Sequence, residues 1–176
     1  TKAIEINPNY AYAYYNRGIA KGGLKDYYGA IADYTKAIEI DPNDASAYYN
    51  RGLAKDDLED NKGAIADFTK AIEIDPNDAS AYYNRGLAKY YLKDYYGAIA
   101  DCTKAIEINP NNAYAYYNRG LAKYDLKDYK GAIADYTKAI EINPNDAYAY
   151  FNRGLAKYDL KDYKGAIADF TKAIEI

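Results

Sequence analysis

Between Ala113 and Leu126 the small or apolar residues Ala113, Ala115, Tyr116, Gly120, Ala122 and Leu126 recur at the spacing of one helix face. Asn112 stands where it can cap the first turn. A short turn, Lys127-Asp128, leads to a second stretch from Tyr129 to Ile142, where Ala132, Ile133, Tyr136, Ala139 and Ile140 repeat the pattern and Asp128 is the N-cap. Asn143-Pro144-Asn145 stops it, because the residue before proline is pushed out of the helical region and proline has no amide hydrogen to donate. The pattern predicts a pair of antiparallel helices, A and B, and no segment carries a strand signal.

The same pair recurs along the chain. Pro8, Pro42, Pro76, Pro110 and Pro144 are 34 residues apart, and units run over 11–44, 45–78, 79–112, 113–146 and 147–176, the last stopping four residues short. Residues 1–10 read as the end of a preceding unit. A unit this short cannot bury its own apolar face, so the copies are expected to stack into one solenoid with a long exposed groove. Both Thr1 to Ile6 and Thr171 to Ile176 read TKAIEI, there is no initiator Met or signal peptide, and no apolar run is long enough to cross a bilayer. These features suggest either a fragment of a larger soluble protein or a deliberately trimmed stretch of repeats.

With each unit numbered from its first Ala, Tyr116, Gly120, Leu126, Tyr129, Ala132, Tyr136, Ala139 and Pro144 fall at positions 4, 8, 14, 17, 20, 24, 27 and 32. This series resembles the signature of the tetratricopeptide repeat (TPR) family, with Tyr in place of its usual Trp, and it is met in register over essentially the whole chain. The resemblance implies an all-α, right-handed superhelical solenoid of antiparallel helix pairs. Two positions depart from the family pattern: position 7 is Arg rather than Leu, and position 11 is Lys rather than an aromatic residue.

All five arginines (Arg17, Arg51, Arg85, Arg119 and Arg153) occupy position 7, and position 23 is always Asp (Asp33, Asp67, Asp101, Asp135 and Asp169). We expect the Arg stem to pack between helices and its guanidinium to fork onto the Asp, a geometry Lys does not reproduce. The alternative is an arginine row that grips an anionic ligand.

The resemblance implies that helix A lines the concave face, with positions 2, 5, 6, 9, 12 and 13 in the groove; spacing independently puts positions 2, 5, 9, 12 and 13 on one side of that helix. Position 5 supplies Tyr15, Tyr49, Tyr83, Tyr117 and Phe151, and position 2 adds Tyr12, Tyr114 and Tyr148. Position 6 is Asn16, Asn50, Asn84, Asn118 and Asn152, and position 9 includes Leu53, Leu87 and Leu121. An aromatic row beside an amide row suits an extended peptide, since Tyr gives rigid area with a polar tip and Asn can bond to main chain of any sequence. The Asn row resembles the asparagine ladder of family members that hold peptide main chain; alternatively, the amides bond within their own solenoid. The family's clamp for acidic chaperone tails needs Lys at positions 2 and 5 and Asn at position 9, and that set is missing. Asp57, Asp125 and Asp159 at position 13, with Asp56 at position 12, favour a neutral or basic segment.

Composition narrows the function further. The net charge of −3 suits neither nucleic acid nor a membrane surface as partner. With no His, no Gly-rich phosphate loop and no zinc-like Cys spacing, the sequence offers no catalytic, metal or cofactor site. The single Cys, Cys102, sits at position 24 among Tyr34, Phe68, Tyr136 and Phe170 and is expected to be a buried small hydrophobe; the lack of a disulfide partner favours a reducing, cytoplasmic compartment. We therefore expect a protein–protein interaction scaffold. The alternative is an architectural or spacer solenoid that associates end to end, because helix B of the last unit leaves Ile167, Phe170, Ala173 and Ile174 without a following helix.

Overall fold

A computed structural model describes residues 2–176, so Thr1 of the expected N-terminal remnant lies outside the described residues. Among them the chain forms α1 (Lys2–Ile6), α2 (Ala11–Gly23), α3 (Tyr27–Ile40), α4 (Ala45–Asp56), α5 (Asn61–Ile74), α6 (Ala79–Tyr91), α7 (Tyr95–Ile108), α8 (Ala113–Asp125), α9 (Tyr129–Ile142), α10 (Ala147–Asp159) and α11 (Tyr163–Glu175), with no strand. They divide into two compact units, residues 1–88 and 89–176. In the first, α2 packs on α3, α3 on α4 and α4 on α5; in the second, α7, α8, α9, α10 and α11 pack consecutively.

The helices from α3 onward begin on an acceptor placed by the repeat, whereas α2 follows Tyr10 without a side-chain cap. Asp26, Asp60, Asp94, Asp128 and Asp162 accept a hydrogen bond at 3.0 Å from the amide of the Gly three residues on. The carboxylate lies close over that Gly, so a β-carbon there would displace it, whereas Asp44, Asp78 and Asp146 cap the amide of an Ala in the same position. Asn112 caps α8 through the Ala115 amide. Helix A ends one residue earlier than its apolar pattern suggests: Leu126 is the C-cap of α8. The turn that follows puts Lys127 at φ 64°, with its amide donating to the Tyr124 carbonyl at 2.8 Å and the Asp128 amide to that of Lys123 at 2.9 Å. This is the Schellman arrangement, and Lys25, Glu59, Lys93 and Lys161 hold the same left-handed conformation without a glycine.

The core is built from alanines that let helices approach and rings that fill the space between them. In the first unit Ala30, Tyr34 and Ala54 form one cluster, Ala37, Ile38 and Ala47 a second, and Ala71, Ile72 and Ala81 a third. In the second, Ala132, Tyr136 and Ala156 correspond to the first cluster and Ala139, Ile140 and Ala149 to the second. Phe68 and Tyr136 are wholly buried, and a β-carbon on Gly52 or Gly120 would stand 2.7 Å from their rings, so position 8 must be Gly. Cys102 is buried, and burial pushes its thiol up to about 12.

Candidate interaction face

Positions 7, 11, 23 and 25 meet where helix A crosses helix B. Arg119 donates from Nε to Asp135 Oδ2 at 2.9 Å and from Nη2 to Oδ1 at 2.6 Å, its Nη1 donates to Thr103 Oγ1 at 3.1 Å, and its guanidinium carbon lies 5.5 Å from the Tyr116 ring centroid. Lys123, one turn along, places its Nζ 2.7 Å from Asp135 Oδ2. The same arrangement joins Arg51 and Lys55 to Asp67, and Arg153 and Lys157 to Asp169. Arg17 and Lys21 hold Asp33 in the same way. Within the second unit Lys89 reaches Asp101 at 2.8 Å, and Arg85 donates to Thr69 at 3.1 Å within the first.

The aspartates are buried, and Asp33, Asp67, Asp135 and Asp169 are each held by charge-assisted bonds in fork geometry. At Asp33 burial works against ionisation, but the hydrogen bonds from Arg17 and Lys21 outweigh it and hold the carboxyl below its ordinary range; Arg153 and Lys157 do the same to Asp169. The guanidinium groups of Arg17, Arg51, Arg119 and Arg153 are thus spent inside the fold rather than offered as a free row to an anionic ligand.

On the other side of helix A, Tyr12, Tyr114 and Tyr148 stand 62%, 63% and 75% exposed. Tyr15, Tyr49, Tyr83 and Tyr117 are half-buried, and Phe151 is exposed. Tyr49 and Tyr117 lie 5.8 Å from Phe68 and Tyr136, so the position-5 ring rests on the position-24 ring beneath it. Leu53, Leu87 and Leu121 are half-buried, and Leu121 packs on the Tyr136 cluster.

Several of the amides bond within the stack, the alternative role open to them from the sequence. Asn50 Nδ2 donates to Tyr15 Oη at 3.1 Å and to the Ser46 carbonyl at 2.9 Å; Asn84 does the same to Tyr49 and Ser80, and Asn152 to Tyr117 and Tyr148. Asn16 donates to the Tyr12 carbonyl at 2.7 Å, and Asn118 is buried. With both Nδ2 protons of Asn50, Asn84 and Asn152 engaged, these side chains stitch one helix A to the next and offer a visitor only their Oδ1 acceptors. The physical reason is the 34-residue stack, which brings the Tyr hydroxyl of one unit over the Asn of the next.

At position 13, Asp159 is likewise engaged. Tyr124 Oη donates to Asp159 Oδ2 at 2.6 Å, a bond that, with burial, pushes the Tyr124 hydroxyl up to about 12. Asp56, beside Asp57, is raised by burial and then by its neighbour's charge. Among the described residues no group of His, Cys, Asp and Glu is placed to hold a metal ion, and no helix is long and apolar enough to cross a membrane.

No curated protein matches the chain. Among solved structures it is similar to a crystal structure of MamA, at 32% identity over 90% of this chain and 92% of that one, with a TM-score of 0.87. MamA from Desulfovibrio magneticus RS-1, residue 41 to its end, is 25% identical over 94% and 93%, at 0.89. YrrB, described as a TPR protein with an unusual peptide-binding site, is 27% identical over 99% of this chain and 90% of that one, at 0.86. The family model described as tetratricopeptide repeat matches residues 11–44, 79–112 and 147–176, a second of that description matches 33–66 and 102–134, and one described as TPR repeat matches 57–93 and 120–161. Matched over more than half its residues and built of helix pairs that pack in sequence order, the chain belongs to the tetratricopeptide repeat family.

Proposed function

We propose that the chain is a protein-interaction scaffold whose helix-A faces bind an extended, neutral or basic segment of a partner protein. The observation that carries this reading is the set of exposed rings Tyr12, Tyr114 and Tyr148, each beside a half-buried or exposed ring at position 5. Aromatic rings on a rigid helix give contact area at little entropic cost, and their hydroxyls meet main-chain groups. The Asn residues now act from behind, by fixing the position-5 hydroxyls, and through their Oδ1 acceptors. The acids at positions 12 and 13 disfavour an anionic segment. The peptide-binding site named for YrrB supports the class of ligand, and the proposal assigns the chain no catalytic step and no cofactor.

To test it, a random peptide library is panned against the chain and the selected peptides are titrated against the triple variant Tyr12→Ala, Tyr114→Ala, Tyr148→Ala. Affinity should fall roughly tenfold or more, as expected when central aromatic contacts are truncated, while the melting temperature stays unchanged. Failure to select any peptide, or unchanged affinity in the variant, overturns the reading.

A second reading, head-to-tail association through the terminal helices, is favoured by one observation. An open apolar cleft of about 520 Å³ is lined by Ala147, Tyr148, Phe151, Phe170, Ala173 and Ile174, and Ile174 is 85% exposed where its equivalents Ile38, Ile72 and Ile140 are 8% exposed. In those units the place is taken by the Ala and Tyr at positions 3 and 4 of the next helix A. In a second copy Ala13 and Tyr14 of α2 present that same edge, and Ala13 is half-buried where Ala47, Ala81, Ala115 and Ala149 are fully buried.

A further inference from the structure

Unit 11–44 lacks one ring that the units at 79–112, 113–146 and 147–176 possess at position 12, as Tyr90, Tyr124 and Tyr158. Around Tyr136 the buried cluster is Ala132, Tyr136 and Ala156, closed by Tyr117, Leu121, Tyr124, Tyr129 and Ile133. The corresponding cluster around Tyr34 has Ala30 and Ala54, closed by Tyr15, Tyr27 and Ile31, and position 12, Tyr124 in the later unit, is Gly22. Nothing lies within 4 Å of where a Gly22 β-carbon would be. A cavity of about 190 Å³ opens there, lined by Ile19, Gly22, Tyr27, Tyr34, Asn50, Leu53, Ala54 and Asp57.

The later units show what fits such a space. Tyr124 sets its ring 5.3 Å from that of Tyr129, the counterpart of Tyr27, and donates its hydroxyl to Asp159, the counterpart of Asp57. The first unit thus keeps the ring-lined walls and the terminal carboxylate and omits only the phenol. A cavity on the order of 150 Å³ accommodates a benzene ring, so the volume suffices. The opening lies on helix A, beside position 9 of the proposed interaction face.

We propose that this cavity is a subsite for one phenol ring, the tyrosine side chain of a bound partner segment, with its ring between Tyr27 and Leu53 and its hydroxyl donating to Asp57. The inference rests on the proposed peptide-binding function for the source of the ring, but the cavity itself does not.

The test is an NMR titration of the ¹⁵N-labelled chain with p-cresol, with toluene, and with the tripeptide amides acetyl-Gly-Tyr-Gly and acetyl-Gly-Phe-Gly. Saturable shifts at Gly22, Leu53 and Asp57 are expected with p-cresol, about tenfold weaker with toluene, which cannot donate to the carboxylate. Gly22→Tyr should fill the space from within and abolish p-cresol binding, and Asp57→Ala should remove the preference for p-cresol over toluene while leaving the cavity. Shifts that persist in Gly22→Tyr, or equal binding of p-cresol and toluene, overturn the subsite. Binding of p-cresol without binding of the tyrosyl tripeptide overturns the partner segment as its source. Because the triple Tyr→Ala variant leaves Gly22 untouched, failure of the peptide-binding function and failure of the subsite are read separately.

Discussion

Arg119 and Asp135 are joined by two parallel bonds, Nε to Oδ2 at 2.9 Å and Nη2 to Oδ1 at 2.6 Å, and Lys123 adds a second cation to the same carboxylate. One buried acid thus neutralises two half-buried bases. Asp135→Ala strands both and should destabilise the chain by about 3–5 kcal/mol, whereas Arg119→Leu leaves Lys123 on the acid, keeps an apolar stem in place and should cost less than half as much. Urea denaturation followed by circular dichroism measures both. Equal, small losses would show that the triad contributes little.

Stability should be flat across neutral pH, because the chain has no His to titrate there. Asp33 and Asp169 have folded-state values depressed below 3.8, so their contribution is present above the unfolded value and is lost as pH falls below about 4 through the folded one. Tyr34 is pushed by burial from 10.0 to about 12; its contribution is complete below pH 10 and is lost as pH rises through 12. Melting temperatures from pH 2 to 12 should trace this plateau with two falling edges. A step near pH 6 would contradict it.

Tyr136 Oη is buried with no hydrogen-bond partner among the described residues, while Phe68 and Phe170 fill the same position in other units. Tyr136→Phe should therefore stabilise by about 1 kcal/mol, by removing a stranded hydroxyl without opening a cavity. Lys127→Gly, which relieves a left-handed conformation, should add about 1 kcal/mol. Gly120→Ala should cost about 1–3 kcal/mol by driving a methyl into the Tyr136 ring. Thermal melts decide all three signs.

If the cleft at Phe151, Ala173 and Ile174 takes the α2 edge of a second copy, light scattering should give a mass that rises with concentration. Ile174→Lys should return it to the monomer. A monomeric mass at millimolar concentration would exclude this association.

The helix pairs were legible because local and repeated signals agree: Asp128 caps, Pro144 stops, and the alanines fix the apolar face. The left-handed turn was not, since Lys127 carries no glycine signal and its conformation follows from the carbonyls it serves. Of the charged network, the Arg–Asp partners could be paired by their shared periodicity, but Lys123 and Thr103 required knowing how the helices cross. The amides were open to two roles because Asn serves equally well as a ligand contact or a stitch, and the Tyr hydroxyl that Asn50 meets stands 35 residues earlier in sequence. Gly22 was legible only as a departure from the repeat; its cavity emerges when the walls are compared with those around Tyr124.

The most direct measurement of the central claim is to map a selected peptide onto the chain by amide chemical shifts. The account predicts that perturbations gather on helix A, at Tyr12, Tyr15, Tyr114, Tyr117 and Tyr148, and spare the exposed helix-B residues Tyr28, Lys62, Tyr96 and Lys130. Perturbations centred on those helix-B residues, with the helix-A tyrosines silent, would contradict it.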